Sequence, residues 1–427
     1  MNVVVLGLWH LGCVTAACCA EHFSVVGLDF DEQNIAASRA GRAPIAEPGL
    51  DALLQAGCNS GRLRFAAEAD PEILGRADVL WVCYDTPVDD QDVADVPFVL
   101  DRLARCLPAL RPGAVVLISS QVPAGTCRAL ATKYPGRAFA YSPENLRLGK
   151  ALEIFRQPDR VVVGARADDT ETRRVLGALF APFAADRIVW MSPESAEMTK
   201  HGINAFLALS VTFANEIARL CERVGADARE VEAGLKSESR IGPKAYLRPG
   251  GAFAGGTLAR DVVALTQLAA ANGERADLIA AILTSNDAHK SWALGRLRAL
   301  LGASLAGAEI AVLGLTYKPG TDTLRRSGAV ELAHALLKNG AAVRAYDPAV
   351  RALPPELAGA TFCATPADAL RNADAAVIAT EWPEIRAADW PALVPTMRRR
   401  VILDANRFLR DAAALGDIEY FAVGSAL

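Results

Sequence analysis

Two groups of residues have the types and spacing to do chemistry. Gly7-Leu8-Trp9-His10-Leu11-Gly12 follows the apolar run Val3-Val4-Val5-Leu6 and opens a helical stretch, and Asp29 comes 22 residues after Gly7 at the end of a second apolar run. In such a strand–turn–helix unit the glycines make the turn tight, a pyrophosphate rests on the helix N-terminus, and the later acid takes ribose hydroxyls. The charge of Asp29 would repel a 2′-phosphate, which favours NAD over NADP as cofactor. Trp9 stands where the middle glycine of this pattern normally lets the backbone meet phosphate, so its side chain must swing away or reshape the turn. The plainer alternative is a βαβ turn that merely starts a domain.

The second group is Lys200 and Asn204, four residues apart in a long helical pattern. That spacing puts both on one face, able to aim two donors at one oxygen. A reaction that builds negative charge on oxygen needs such donors, each typically worth about 3–4 kcal/mol. The alternative for Lys200 is an ordinary surface charge.

The elements that must position these groups read as strands over Asn2–Leu6, Ser24–Asp29, Val79–Cys83, Ala114–Ser119, Ala138–Tyr141 and Arg160–Val163, with Ile188–Trp190 a further one. They alternate with helical stretches, as in a doubly wound parallel sheet. From about Ser192 the texture changes to one long helix, Ser195–Val224, and more helix through Arg298. A second alternating unit begins at Glu309–Gly314, runs through a helix (Gly328–Asn339) to Ala342–Asp347, and continues with strands at Ala375–Thr380 and Val401–Asp404. The expected fold is α/β, two Rossmann-like doubly wound domains joined by a long central helix and a helical connector. The expected domains are 1–191 with the NAD turn, 192–300 as a helical layer and subunit contact, and 301–427 as a second α/β unit.

At 427 residues, 52% hydrophobic and 22% charged, the chain has material for two or three cores. A formal net charge of −4 argues against a nucleic-acid surface, while leaving single basic residues free to hold a phosphate. The start lacks a charged leader, no segment holds 18 apolar residues, and the expectation is a cytoplasmic protein without a membrane partner. Nine cysteines form no C-x-x-C pair and five histidines show no ligand spacing, so buried free thiols and no metal site are expected.

Further motifs run through most of the chain: Glu47-Pro48-Gly49-Leu50, Thr86-Pro87, Ser120-Gln121-Val122-Pro123-Ala124-Gly125-Thr126, Ser142-Pro143-Glu144-Asn145-Leu146-Arg147, and Ala196-Glu197-Met198-Thr199-Lys200. They continue with Asn215-Glu216, Arg240-Ile241-Gly242, the glycine-rich stretch Gly250 to Asp261, Tyr317-Lys318-Pro319, Thr321-Asp322 with Arg325 and Ser327, and Thr380-Glu381-Trp382-Pro383-Glu384. In these stretches the chain resembles the nucleotide-sugar 6-dehydrogenases, the UDP-glucose and GDP-mannose dehydrogenase family. The T-E-W-P-E run looks more like the UDP-glucose branch.

The resemblance implies oxidation of a sugar C6 alcohol in two hydride transfers, the second through an acyl group held on cysteine, and with it a place in polysaccharide biosynthesis. It implies catalytic roles for Lys200 and Asn204 as oxyanion donors and for Asp261 in orienting water or accepting a proton. Glu144 either activates water or holds its loop. The family's loop reads approximately G-F-G-G-S-C-x-P-K-D, and here Thr257 stands at the cysteine, as a catalytic hydroxyl or as a packing replacement. A threonine hydroxyl is far less acidic than a thiol of pKa about 8.5. Gln121 replaces the family's Thr, Leu148 an acid, and Arg260 a Lys, departures that fall mostly on the acyl-enzyme half.

By the same resemblance, Gly7, Trp9, His10, Leu11, Gly12, Asp29, Thr86, Pro87, Gln121, Arg260 and Arg325 would bind cofactor. Asn145, Leu146, Arg147, Arg240 (across a homodimer through the central helix), Tyr246, Phe253, Ala254 and Lys318 would bind the nucleotide sugar. Asp404-Ala405-Asn406-Arg407 departs from the family's D-G-R-N order, and no role is carried over for that arginine. The functional expectation is an NAD-dependent oxidoreductase acting on a UDP-glucose-like nucleotide sugar and impaired in the second oxidation. The alternatives are a redox-neutral epimerase that keeps its NAD and a non-catalytic nucleotide-sugar-binding homologue.

Overall fold

In the computed structural model, residues 1–89, 91–144, 146–254, 256–409 and 418–425 are described. They form two compact units, Met1–Ile203 and Asn204–Leu427.

The first unit is built on β1 (Asn2–Leu6), β2 (Ser24–Leu28), β3 (Leu63–Ala66), β4 (Val79–Val82), β5 (Val115–Ile118), β6 (Ala138–Tyr141), β7 (Val161–Gly164) and β8 (Ile188–Met191). Their order in the sheet is β3-β2-β1-β4-β5-β6-β7-β8. Val3 and Val5 pack into the core on one face, Val4 and Leu6 into the core on the other. Burial on both faces explains the unbroken apolar runs, because helices cover each side of a parallel sheet. The order reverses between β1 and β4, which opens a crevice at the carboxyl ends of the strands where such folds bind ligands.

The second unit carries β9 (Glu309–Leu313), β10 (Ala342–Tyr346), β11 (Thr361–Phe362), β12 (Ala375–Ile378), β13 (Val401–Leu403) and β14 (Glu419–Phe421), ordered β11-β10-β9-β12-β13-β14 and parallel throughout. Its reversal lies between β9 and β12. One helix of 32 residues, Pro193–Val224, about 48 Å long, belongs by its ends to both units.

The expected two Rossmann-like sheets and long helix are therefore present, with three differences. β3, β11 and β14 had no clear signal because edge strands of two to four residues, all but Leu63 at least partly exposed, leave no run to read. β7 meets β6 antiparallel, through the pair Tyr141 and Gly164, so β7 and β8 run against the rest of the sheet. Finally, Asp29, Asp347 and Asp404 each fall one residue past a strand rather than inside it. Their carboxylates leave the ladder to accept N–H groups of neighbouring loops.

Among the described residues no helix is long and apolar enough to cross a membrane.

Candidate active site

The turn after β1 is defined by what its glycines exclude. Gly7 has φ +98°, and a Cβ there would lie 2.7 Å from the Tyr84 ring, while one on Gly12 would lie 1.6 Å from the Gly7 carbonyl oxygen. The helix His10–Cys19 thus starts tight against the turn, with no side-chain cap and no acid in its first turn. Open N–H groups at such a start suit an anion. Trp9 has extended backbone, φ −90° and ψ −154°. Trp9 is 42% exposed.

Trp9 lines a cleft of about 580 Å³ together with Asp29, Asp31, Glu32, Asp85 and Arg102. Four acids against one arginine disfavour an added phosphate and fit the ribose of NAD. Asp29 is already engaged: Oδ2 accepts from Leu8 N at 2.7 Å and Asn34 Nδ2 at 3.3 Å, and Oδ1 from Asp31 N at 3.1 Å and Tyr84 Oη at 3.4 Å. A ribose hydroxyl would displace the longest of these. NAD bound here supplies the hydride acceptor.

His10 turns away from this cleft, with Nε2 3.0 Å from Glu47 Oε2, and Leu11 is buried in the core. Glu47 also accepts from Gly149 N at 2.8 Å and Ala151 N at 2.9 Å. Burial pushes the Glu47 carboxyl up, but these donors outweigh it and hold the pKa below the ordinary value. Thr86 Oγ1 donates to the Gln121 carbonyl at 2.7 Å, tying together the loops after β4 and β5, and Pro87 beside it is exposed.

Lys200 is 8% exposed. Its Nζ donates to the Glu144 carbonyl at 2.5 Å and lies 4.0 Å from Glu144 Oε2. The Glu144 carboxylate turns back on its own loop and accepts from Leu146 N, while Arg147 is exposed. Asn145 lies outside the described residues. Two neighbours on the long helix hold adjoining loops: Glu197 accepts from Cys127 N at 2.8 Å and from Gly125 N, and His201 Nε2 meets Val122 O at 3.1 Å. Burial raises the Glu197 pKa, and the two N–H groups only partly offset it.

The second unit repeats the turn of the first. Gly314, with φ +92°, would clash with Thr380 if it carried a Cβ, just as Gly7 would with Tyr84. Asp347 Oδ2 accepts from Leu315 N at 2.7 Å, as Asp29 does from Leu8. A cavity of about 420 Å³ opens beside this turn, lined by Ala252–Ala254, Lys318, Arg326, Glu381 and the start of the helix Gly328–Lys338.

One wall of the cavity is a loop fixed by side chains to which the sequence reading gave no role. Asn215 Oδ1 accepts from Gly250 N at 2.9 Å, Asn406 Oδ1 accepts from Gly251 N at 2.8 Å, and Asn286 spans Phe253 at both N and O. His289 Nε2 bonds the Gly250 carbonyl at 2.8 Å and its Nδ1 faces Arg219 Nη1 at 2.9 Å. A guanidinium only donates, so Nδ1 accepts and Nε2–H donates, the neutral tautomer. Burial, then the Arg219 charge, outweigh the Gly250 bond and push the His289 pKa down to about 4. The only hint of this frame in the sequence was the match at Asn215.

Thr257 sits at the N-terminus of the helix Leu258–Ala271, exposed and making no side-chain cap. Arg260 and Asp261 follow in the first turn. Asp261 is fully buried and its Oδ2 accepts from Asn204 Nδ2 at 2.6 Å. All nine cysteines are free, and eight of them are buried. Burial pushes Cys13, Cys18 and Cys106 up to about 12, and Cys19, Cys83 and Cys127 well above the ordinary value.

Three arginines near the cavity differ in placement. Arg325 is exposed, and Arg326, with φ +57°, is the one that lines the cavity. Arg407, with φ +53°, points to Asp227 Oδ1 at 3.3 Å and Ser425 Oγ at 3.1 Å, and leaves the cavity wall to Asn406. Left-handed backbone costs a non-glycine residue about 1–2 kcal/mol. Tyr246 is 61% exposed, and Arg240 is exposed and paired with Glu238 at 3.0 Å.

Comparison with known proteins matches these features in order. The NAD binding domain of the UDP-glucose/GDP-mannose dehydrogenase family matches residues 1–184, its central domain 194–288 and its UDP binding domain 311–411. A UDP-glucose 6-dehydrogenase of Rhizobium meliloti is 35% identical, the match covering 99% of each chain, and one of Pseudomonas aeruginosa is 34% identical over 99% of this chain and 97% of that one. Among solved structures, a UDP-glucose dehydrogenase of Pyrobaculum islandicum superposes with a TM-score of 0.85 at 33% identity, covering 100% of this chain and 98% of that one. A UDP-D-ManNAc dehydrogenase of Pyrococcus horikoshii gives 0.85 at 26% identity, covering 99% of both. With the glycine turn, the acidic cleft and the second nucleotide-type turn all in their places, this chain belongs to the UDP-glucose/GDP-mannose dehydrogenase family of NAD-dependent oxidoreductases.

Proposed function

We propose that the protein oxidises the C6 alcohol of a UDP-glucose-like nucleotide sugar by one two-electron step and performs the second oxidation slowly or not at all. The observation that carries this reading is Thr257, exposed at a helix N-terminus where a thiolate would be stabilised, but bearing a hydroxyl that does not ionise. The first step needs no sulfur: the alcohol loses a hydride to NAD and a proton to a base, giving aldehyde, NADH and H⁺. Lys200 and Asn204 are buried one turn apart on the helix and supply donors for the oxygen as charge builds there. The buried Asp261 orients Asn204, and Glu144 beside Lys200 is placed to take part in proton movement.

The nucleotide is read as uridine diphosphate, supported by the match of the UDP binding domain to residues 311–411 and by the names of the relatives. The division into 1–191, 192–300 and 301–427 is kept, supported by the three matched segments. A homodimer through the long helix is supported by Phe206, Phe213 and Leu220, exposed by 66%, 45% and 61% at intervals of seven residues. Apolar side chains in such a register form a stripe that water disfavours. Free cysteines and the use of NAD support a cytoplasmic location.

The test is to count NADH released per UDP-glucose and to weigh the product by mass spectrometry. One NADH and an aldehyde or its hydrate support the reading. Two NADH and a uronate at rates typical of an efficient dehydrogenase overturn the one-step claim. An isomerised sugar without net NADH points to an epimerase, and binding without turnover to a non-catalytic homologue.

A further inference from the structure

We propose that Arg326 recognises negative charge on carbon 6 of the bound sugar. This rests on the UDP-sugar reading above. Arg326 lines the same cavity as Lys318 and the start of the helix Gly328–Lys338. A Cβ built on Gly256 would lie 3.7 Å from Arg326 Nη1, so the guanidinium reaches the residue immediately before Thr257. It therefore spans from the cavity to the end of the loop at which the sugar's reacting carbon is expected. Arg326 has left-handed backbone, φ +57°, and Arg325, the residue before it, is exposed and does not line the cavity.

The chemistry is that of a planar fork of donors. A guanidinium binds a carboxylate with two parallel N–H···O bonds, whereas the neutral hydroxymethyl group of an unoxidised sugar offers it no charge. A cation at this point favours any anionic oxygen on carbon 6, and most of all a uronate.

The experiment is calorimetric titration of the protein, without NAD so that no turnover occurs, with UDP, UDP-glucose and UDP-glucuronate. The wild type is expected to bind UDP-glucuronate about ten-fold or more tightly than UDP-glucose. Arg326→Ala should abolish that preference and leave the affinity for UDP unchanged, which also shows that the variant is folded. Arg326→Lys should lose most of the preference, because one ammonium cannot make the paired bonds. Equal wild-type affinities for the two sugars overturn the proposal while sparing the UDP-sugar reading. A parallel loss of UDP affinity in Arg326→Ala also overturns it, since the guanidinium would then serve the diphosphate. Failure of the wild type to bind UDP at all overturns both.

Discussion

The side-chain amide of Asn204 donates to Asp261 Oδ2 at 2.6 Å, within the buried start of the helix Leu258–Ala271. One of the two donors expected at the substrate oxygen is thus oriented by a carboxylate that itself has no access to water. Asn204→Ala removes that donor and leaves Asp261 buried with one partner fewer. The expected result is a fall in kcat of about 10²-fold or more, with a stability loss of about 1–3 kcal/mol. Steady-state kinetics and urea unfolding check the two effects separately.

Thr257 sits where the positive end of a helix would lower a thiol's pKa. Thr257→Cys should therefore raise NADH release from one toward two per sugar and produce uronate. If the variant stays at one NADH, the other departures, Gln121 and Arg260 among them, are the ones that block the second step.

His289 makes the cavity wall sensitive to acid. Its folded pKa of about 4 lies below the ordinary 6.5, so the unfolded chain binds the proton more readily. Stability from this residue is present above pH 6.5 and is lost as pH falls from 6.5 toward 4, on the order of 3 kcal/mol in all. Glutamine keeps a donor for the Gly250 carbonyl but does not titrate. Unfolding midpoints of wild type and His289→Gln, compared at pH 7 and pH 4.5, should diverge at the lower pH, with the wild type losing more.

The apolar register on the long helix predicts its own disruption. Leu220→Glu places a charge in the stripe between Phe213 and Val224, both exposed. If the proposed dimer forms through this stripe, sedimentation velocity should show the wild type as a dimer and the variant as a monomer at the same concentration, with far-UV circular dichroism unchanged.

The two sheets were legible because parallel strands buried on both faces must be apolar without interruption, as Val3-Val4-Val5-Leu6 and Ile310-Ala311-Val312-Leu313 are. The glycine turn was legible for a steric reason: no other residue fits at Gly7 or Gly12. The short edges β3, β11 and β14 were not, nor was the reversal of β7, since direction in a sheet depends on where a connection lands rather than on the strand's own residues.

At the site, the sequence by itself determined spacing: Lys200 and Asn204 one turn apart, Asp29 at the end of the second strand, Thr257 four residues before Asp261. Only the tertiary structure decided which way side chains face. His10 turns to Glu47, and Arg326 rather than Arg325 lines the cavity. Asn406, not Arg407, forms its wall. Arg326 and Arg407 both have left-handed backbone, φ +57° and +53°, a conformation uncommon outside glycine that the order of residues does not announce.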